Sequence, residues 1–174
     1  MKKAISAVLA LLCCLLVTGC SQKQTDIDLT RLMGDIESAY GNNWLANSQM
    51  SDTVFYDEYG LDKSMVEEYV GRMPMTGDHP DRVLLIRAAK GKGEQVEKAL
   101  NDRIKELIRN GVEEPSFVAK LNAAKVVREG DYVSLLMVGA YDTQSGNDEQ
   151  AALQFAKDQV KIAEDVFKNA FKYL

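Results

Sequence analysis

The sequence predicts an α+β domain: two layers, with an antiparallel sheet of about four strands and helices on one face, in the order α-β-β-α-β-β-α. Three observations carry this. Two pairs of β-rich runs are each joined by a short turn, at 66–89 and at 124–139. Turns that short join antiparallel neighbours. Stretches with apolar residues at helical spacing flank and separate those pairs, which places whole helices against a sheet.

In chain order, residues 1–22 read MKKAISAVLALLCCLLVTGCSQ. Lys2 and Lys3 precede an apolar run from Ala4 to Val17. That run has the length of a secretory signal and falls short of the ~20 residues a spanning helix needs. Val17-Thr18-Gly19-Cys20 follows and resembles the lipobox of bacterial lipoproteins. The reading is a signal peptide over 1–19 and a lipidated Cys20 followed by a polar tether to residue 27. A single domain then spans 28–174. The chain has three cysteines, Cys13, Cys14 and Cys20. The first two leave with the signal and the third carries the lipid, so no thiol remains for a disulfide, a nucleophile or a metal. The expected location is the extracytoplasmic face of the cell membrane, held by acyl chains (diacylglycerol and palmitate).

The first helix is expected from about Leu29 to Tyr40, with Leu29, Leu32, Met33, Ile36 and Tyr40 on one face. Asp28 is its N-cap and Gly41-Asn42-Asn43 its stop. Residues 44–64 are irregular, apart from a helical turn near 62–66. Val66–Met75 and Arg82–Ala89 form the first hairpin around Gly77-Asp78-His79-Pro80-Asp81, the second strand being apolar enough to be central. Glu94–Asn110 is the clearest helix, with Val96, Leu100, Ile104, Leu107 and Ile108 on one stripe and Gly111 as C-cap. Leu100 and Ile104 are expected to be buried against the sheet. After Glu113-Glu114-Pro115, Ser116–Leu121 is a short helix. Ala124–Arg128 and Tyr132–Gly139 form the second hairpin around Glu129-Gly130-Asp131. Asp142–Asp148 is loop, and the last helix runs from about Glu149 to Lys172, with Ala156, Val160, Ala163, Phe167, Ala170 and Leu174 in register.

Several of these stretches together resemble a family of small secreted lipoproteins from Gram-positive bacteria, a domain of unknown function (number 4358). The resemblance covers about residues 26–139. It rests on Asp26-Ile27-Asp28-Leu29, Tyr59-Gly60-Leu61-Asp62, Arg82-Val83-Leu84-Leu85-Ile86 leading into the 94–110 helix, Leu121-Asn122-Ala123 and Gly130-Asp131-Tyr132-Val133. It implies a cell-surface lipoprotein and supplies no activity, ligand or catalytic residue.

Charge narrows the partners. With 21 basic and 26 acidic residues the net charge is −5, and loss of Lys2 and Lys3 makes the remainder more acidic. Such a surface opposes nucleic acid and anionic lipid, so the acyl chains on Cys20 must hold the membrane. No catalytic set is legible. His79 is the only histidine and reads as part of a turn rather than a zinc or triad residue. Gly91-Lys92-Gly93 lacks the length and the hydroxyl residue of a phosphate loop. Asp142, Asp148 and Glu149 lack the alternation of a calcium loop. No cofactor or metal is called for.

Trp44, Phe55, Tyr56 and Tyr59 crowd the irregular segment and form the candidate binding groove. Aromatics on a loop offer apolar area with a polar handle. The expected function is therefore a membrane-anchored binding or interaction module for a protein, peptide or glycan. The alternatives are a cell-envelope hydrolase, and a structural lipoprotein that oligomerises through its last helix.

Overall fold

The computed structural model describes residues 26–76, 79–110 and 115–172. The signal peptide, Cys20 and its tether to residue 25 lie outside the described residues. So do Gly77, Asp78, Gly111, Glu113, Glu114 and Leu174.

Among the described residues the chain is α+β, with one open antiparallel sheet of five strands and five α-helices. Helix α1 is Leu29–Tyr40, β1 is Ser48–Gln49, α2 is Asp52–Tyr59, and β2 is Val66–Met73. Strand β3 is Arg82–Ala88, α3 is Gly93–Asn110, and α4 is Pro115–Ala123. Strand β4 is Lys125–Glu129, β5 is Tyr132–Met137, and α5 is Glu149–Asn169. The strand order is β1-β2-β3-β5-β4, every neighbour antiparallel. Both expected hairpins are present. The fifth strand, β1, and helix α2 lie in the segment read as irregular.

The layering differs from the expectation. Along β3, Val83 and Leu85 enter one apolar core with α1 and α5, while Leu84, Ile86 and Ala88 enter another with α2 and α3. Strand β5 alternates the same way, with Tyr132 and Leu136 against Val133, Leu135 and Met137. Helices therefore cover both faces, and the sheet is the middle of three layers rather than one of two. The cause is visible in the strands: successive side chains point to opposite faces, so a run apolar at every position needs cover on both.

Helix α3 behaves as its stripe requires. Val96 and Leu100 are fully buried and Ile104 nearly so, while Ile108 at the end of the stripe is exposed. Each such burial stabilises by roughly 1.5–3 kcal/mol. Helix α1 is capped by the Asp28 carboxylate, which accepts from the Arg31 amide at 2.9 Å. Helix α5 is capped by Asp148, which accepts from Gln150 and Ala151. The apolar stripe of α5 is spent inward: Ala156, Val160, Ala163 and Phe167 are all buried. No continuous exposed stripe is left on it for self-association.

Strand β4 is one of the two sheet edges, and both faces of it are strapped by charge. Lys125 reaches Glu164 of α5 at 2.6 Å, and Arg128 reaches Glu97 of α3 at 2.6 Å.

Candidate functional site

The four aromatics of the expected groove are not brought together. Trp44 is buried in the core under α1 and α5, with its ring 6.0 Å from Tyr40. Phe55 and Tyr59 are buried in the other core, on α2. Tyr56 is half-buried, edge-on to Phe55, with the Lys63 ammonium 5.4 Å above its ring. Phe55 also stacks on Tyr69 of β2. The sheet stands between Trp44 and the other three, so the four cannot line a single groove. Physically they cap two cores.

The loop at Gly91-Lys92-Gly93 carries its own anion. The Asp131 carboxylate accepts from the Gly91 amide at 2.9 Å and from the Gly93 amide at 3.1 Å. The amides a phosphate would use at the start of α3 are thus already satisfied. Glycine at 93 is required by packing, because a Cβ there would collide with the Gly130 carbonyl oxygen. Asp142 likewise turns its oxygen to the chain: the Ser145 side chain and the amides of Gln144 and Ser145 hold its carboxyl below the usual carboxylate range. Among the described residues no group of three His, Cys, Asp or Glu side chains is placed to hold a metal ion.

A cleft of about 880 Å³ opens elsewhere, at the end of the sheet where β3 begins and β5 ends. Helix α4 forms one wall with Val118 and Ala119, and α5 forms the other with Ala152, Leu153, Ala156 and Val160. The segment after β5, including Tyr141, closes its rim. Val118 and Tyr141 are two of the four large apolar side chains exposed among the described residues, and both line this cleft. The main chain must pass close to α5 here. Gly139 has φ 153°, and a Cβ on it would collide with the Gln159 side chain. The Gln159 side chain in turn accepts from the Ala140 amide at 2.9 Å.

A buried ion pair underlies the cleft. Lys120 of α4 donates to the Asp81 carboxylate at 2.7 Å and to the Gly139 carbonyl at 2.7 Å, and sits 5.5 Å from the Tyr141 ring centre. Asp81 is fully buried, and its second oxygen has no hydrogen-bond partner among the described residues. His79 joins the group: its Nδ1 lies 3.6 Å from Asp81, and its ring meets Phe117 and Tyr141. Arg82 points to the other face and donates to the carbonyls of His79 and Asp81, which pins the turn. Burial pushes the Tyr40 hydroxyl well above its ordinary pKa and the nearby Asp81 charge adds to this; the hydroxyl donates to the Gln159 carbonyl.

Sequence reasoning missed this cluster. Lys120 and Asp81 are 39 positions apart, and each reads alone as a surface charge. The one available signal was the exclusion of Lys120 from any i,i+4 pairing on a helix whose other positions are apolar or small.

The class these features define is an α+β domain with a five-stranded open antiparallel sheet and an apolar cleft at one end of it. A family model described as Domain of unknown function (DUF4358) matches residues 40–138, and the chain belongs to that family. No curated protein and no solved structure matches the chain. The matched segment holds the whole sheet and the helices α2, α3 and α4. Helix α5 and all of α1 but Tyr40 lie outside it, so the cleft has one wall within the match and one beyond it.

Proposed function

We propose that the protein is a lipid-anchored, extracytoplasmic binding module, and that the cleft between α4 and α5 receives its ligand. The observation that carries the binding reading is the coincidence of exposed apolar residues with a concave site. Val118 and Tyr141 stay exposed where α4 and the segment after β5 meet α5, above walls of small and apolar side chains. A cleft of this size with apolar walls and a few fixed polar groups is the usual form of a ligand site. The anchor rests on Val17-Thr18-Gly19-Cys20 after a short apolar run. Among the described residues no helix is long and apolar enough to cross a membrane.

Two measurements test the two halves. Mass spectrometry of the mature N-terminus should find an acylated Cys20, and Cys20→Ala should leave the precursor uncleaved; a mature chain starting downstream of Cys20 without lipid removes the anchor. Nile red and a small-fragment mixture should perturb NMR signals of Val118, Tyr141, Leu153 and Gln159. Ala152→Trp, which plugs the cleft, should abolish those shifts. Shifts confined to the Tyr56–Tyr69 surface, or unaffected by the plug, would move the site elsewhere.

A further inference from the structure

The two ends of the sheet are chemically opposite, and the chain enters the domain at one of them. Arg87 and Tyr132 face each other across β3 and β5, whereas Arg82 faces Met137 at the far end of the same pair. Asp26 and Ile27 are bound at the first end. The Ile27 amide donates to the Tyr132 hydroxyl at 3.1 Å, and Asp26 pairs with Arg87 at 3.1 Å. The cleft sits at the second end, five strand residues away, which is roughly 17 Å along the sheet. Helix α1 leads from the bound entry to the cleft end, where Tyr40 meets Gln159. Helix α5 returns, bringing Phe171 against Tyr132.

If Cys20 carries the lipid, the chain from Cys20 to Asp26 spans at most about 20 Å. A domain of this length is roughly 40 Å across. The link is too short to pass round the domain, so the Arg87–Tyr132 end stands over the membrane and the cleft opens away from it. The rim of the cleft carries Asp142, Asp148 and Glu149, none of which is ion-paired among the described residues. Lys120, the one cation among the described residues that line the cleft, is already neutralised by Asp81. The field at the mouth is negative, and the walls below it are apolar.

We propose that the cleft is the membrane-distal pole of the anchored protein, and that its occupant is a partner's peptide segment carrying Lys or Arg beside an apolar side chain, arriving from the aqueous side. This deepens the binding reading above and rests on it. Anionic lipid from the leaflet is excluded twice, by distance and by sign. The apolar side chain would lie against Val118 and Leu153, and the cation would sit at Glu149, in the field of Asp142 and Asp148, whose oxygens face the loop and the α5 amides.

The experiment uses the lipidated mature chain in phosphatidylcholine vesicles containing a headgroup-labelled acceptor lipid. The mature chain has no other cysteine, so single labels can be placed through Thr143→Cys at the cleft rim and Lys90→Cys at the opposite end. Energy transfer to the acceptor should be strong from position 90 and weak from 143. Binding is then measured with a hexapeptide alternating leucine and lysine, its leucine–glutamate counterpart, and dihexanoyl phosphatidylglycerol. The lysine peptide should bind, and Asp142→Asn with Glu149→Gln, which keeps the loop's hydrogen bonds, should weaken it roughly fivefold and flatten its salt dependence. Equal or reversed transfer from the two labels overturns the orientation. Equal or tighter binding of the glutamate peptide or the lipid overturns the occupant while leaving the cleft a binding site. Failure of every probe, with Ala152→Trp also silent, overturns the binding reading itself and this proposal with it.

Discussion

The two ends of the sheet each hold a cation, and they hold it in opposite ways. At the chain-entry end Arg87 is surrounded by Asp26, Glu67 and Glu68, three carboxylates that are each well exposed. At the cleft end Lys120 has one carboxylate, Asp81, and both are buried. More ion pairs stand at the first end, yet the second is the one the fold depends on. In water, charges are solvated whether paired or not, so an exposed pair adds little. A buried carboxylate and ammonium have no water to solvate them, and removing either leaves its partner's charge without a counter-charge.

The largest effect should therefore come from Asp81→Ala. It leaves the Lys120 ammonium buried against the Gly139 carbonyl alone and should cost about 3–5 kcal/mol in urea unfolding. The double variant Asp81→Asn with Lys120→Met should recover most of that loss; additive losses would mean that the two charges are not coupled. Leu100→Ala, midway between the ends on α3, calibrates the scale for a purely apolar contact. It is fully buried against the sheet and should cost about 2–5 kcal/mol. A loss below about 0.5 kcal/mol would mean that α3 is not packed as described. Arg87→Gln should cost no more than about 1 kcal/mol, and less at high salt. If it cost as much as Asp81→Ala, the contrast between the ends would be void.

The smallest effect is a dependence on pH, at the Lys125–Glu164–Lys168 group. Partial burial raises the Glu164 carboxyl, but the hydrogen bonds from Lys125 and Lys168 outweigh it and hold the pKa below the ordinary value of 4.5. A group with a lowered folded pKa stabilises the fold above its unfolded pKa and loses that contribution as pH falls through the folded value. Urea midpoints should therefore fall between pH 5 and pH 3 somewhat more steeply for the natural chain than for Glu164→Gln. Parallel curves would show that Glu164 contributes nothing.

Much of the architecture was legible before any coordinates. The stripe of α3, the cap at Asp28, and the hairpin around Gly130-Asp131 are local signals, and local signals survive folding. Helix α2 was not legible, because eight residues rich in aromatics and acids, DTVFYDEY, show weak amphipathy. Its ends were readable all the same: Ser51 caps it, accepting from the Val54 amide, and Gly60 stops it at φ 60°. The second helical layer was written in Arg82-Val83-Leu84-Leu85-Ile86, where unbroken apolarity demands two covers, yet the expectation supplied one. The cleft was beyond reach. It lies between α4 and α5 over the meeting of Lys120, Asp81 and Gly139, and no spacing along the chain encodes that meeting.

If the chain is held by lipid as proposed, the charged straps on β4 have a consequence at the membrane surface. An open sheet ends in unpaired backbone groups, and a bare edge recruits the edge of the next molecule. Proteins tethered to a membrane are confined to two dimensions, where copies meet far more often than in the same volume of solution. Lys125 tied to Glu164 and Arg128 tied to Glu97 put charged side chains along that edge. A neighbour docking strand to strand would have to bury those charges or break both straps. On a lipid-held chain this edge would then resist zipping into filaments at high surface density, and each proposed binding cleft would stay separately available.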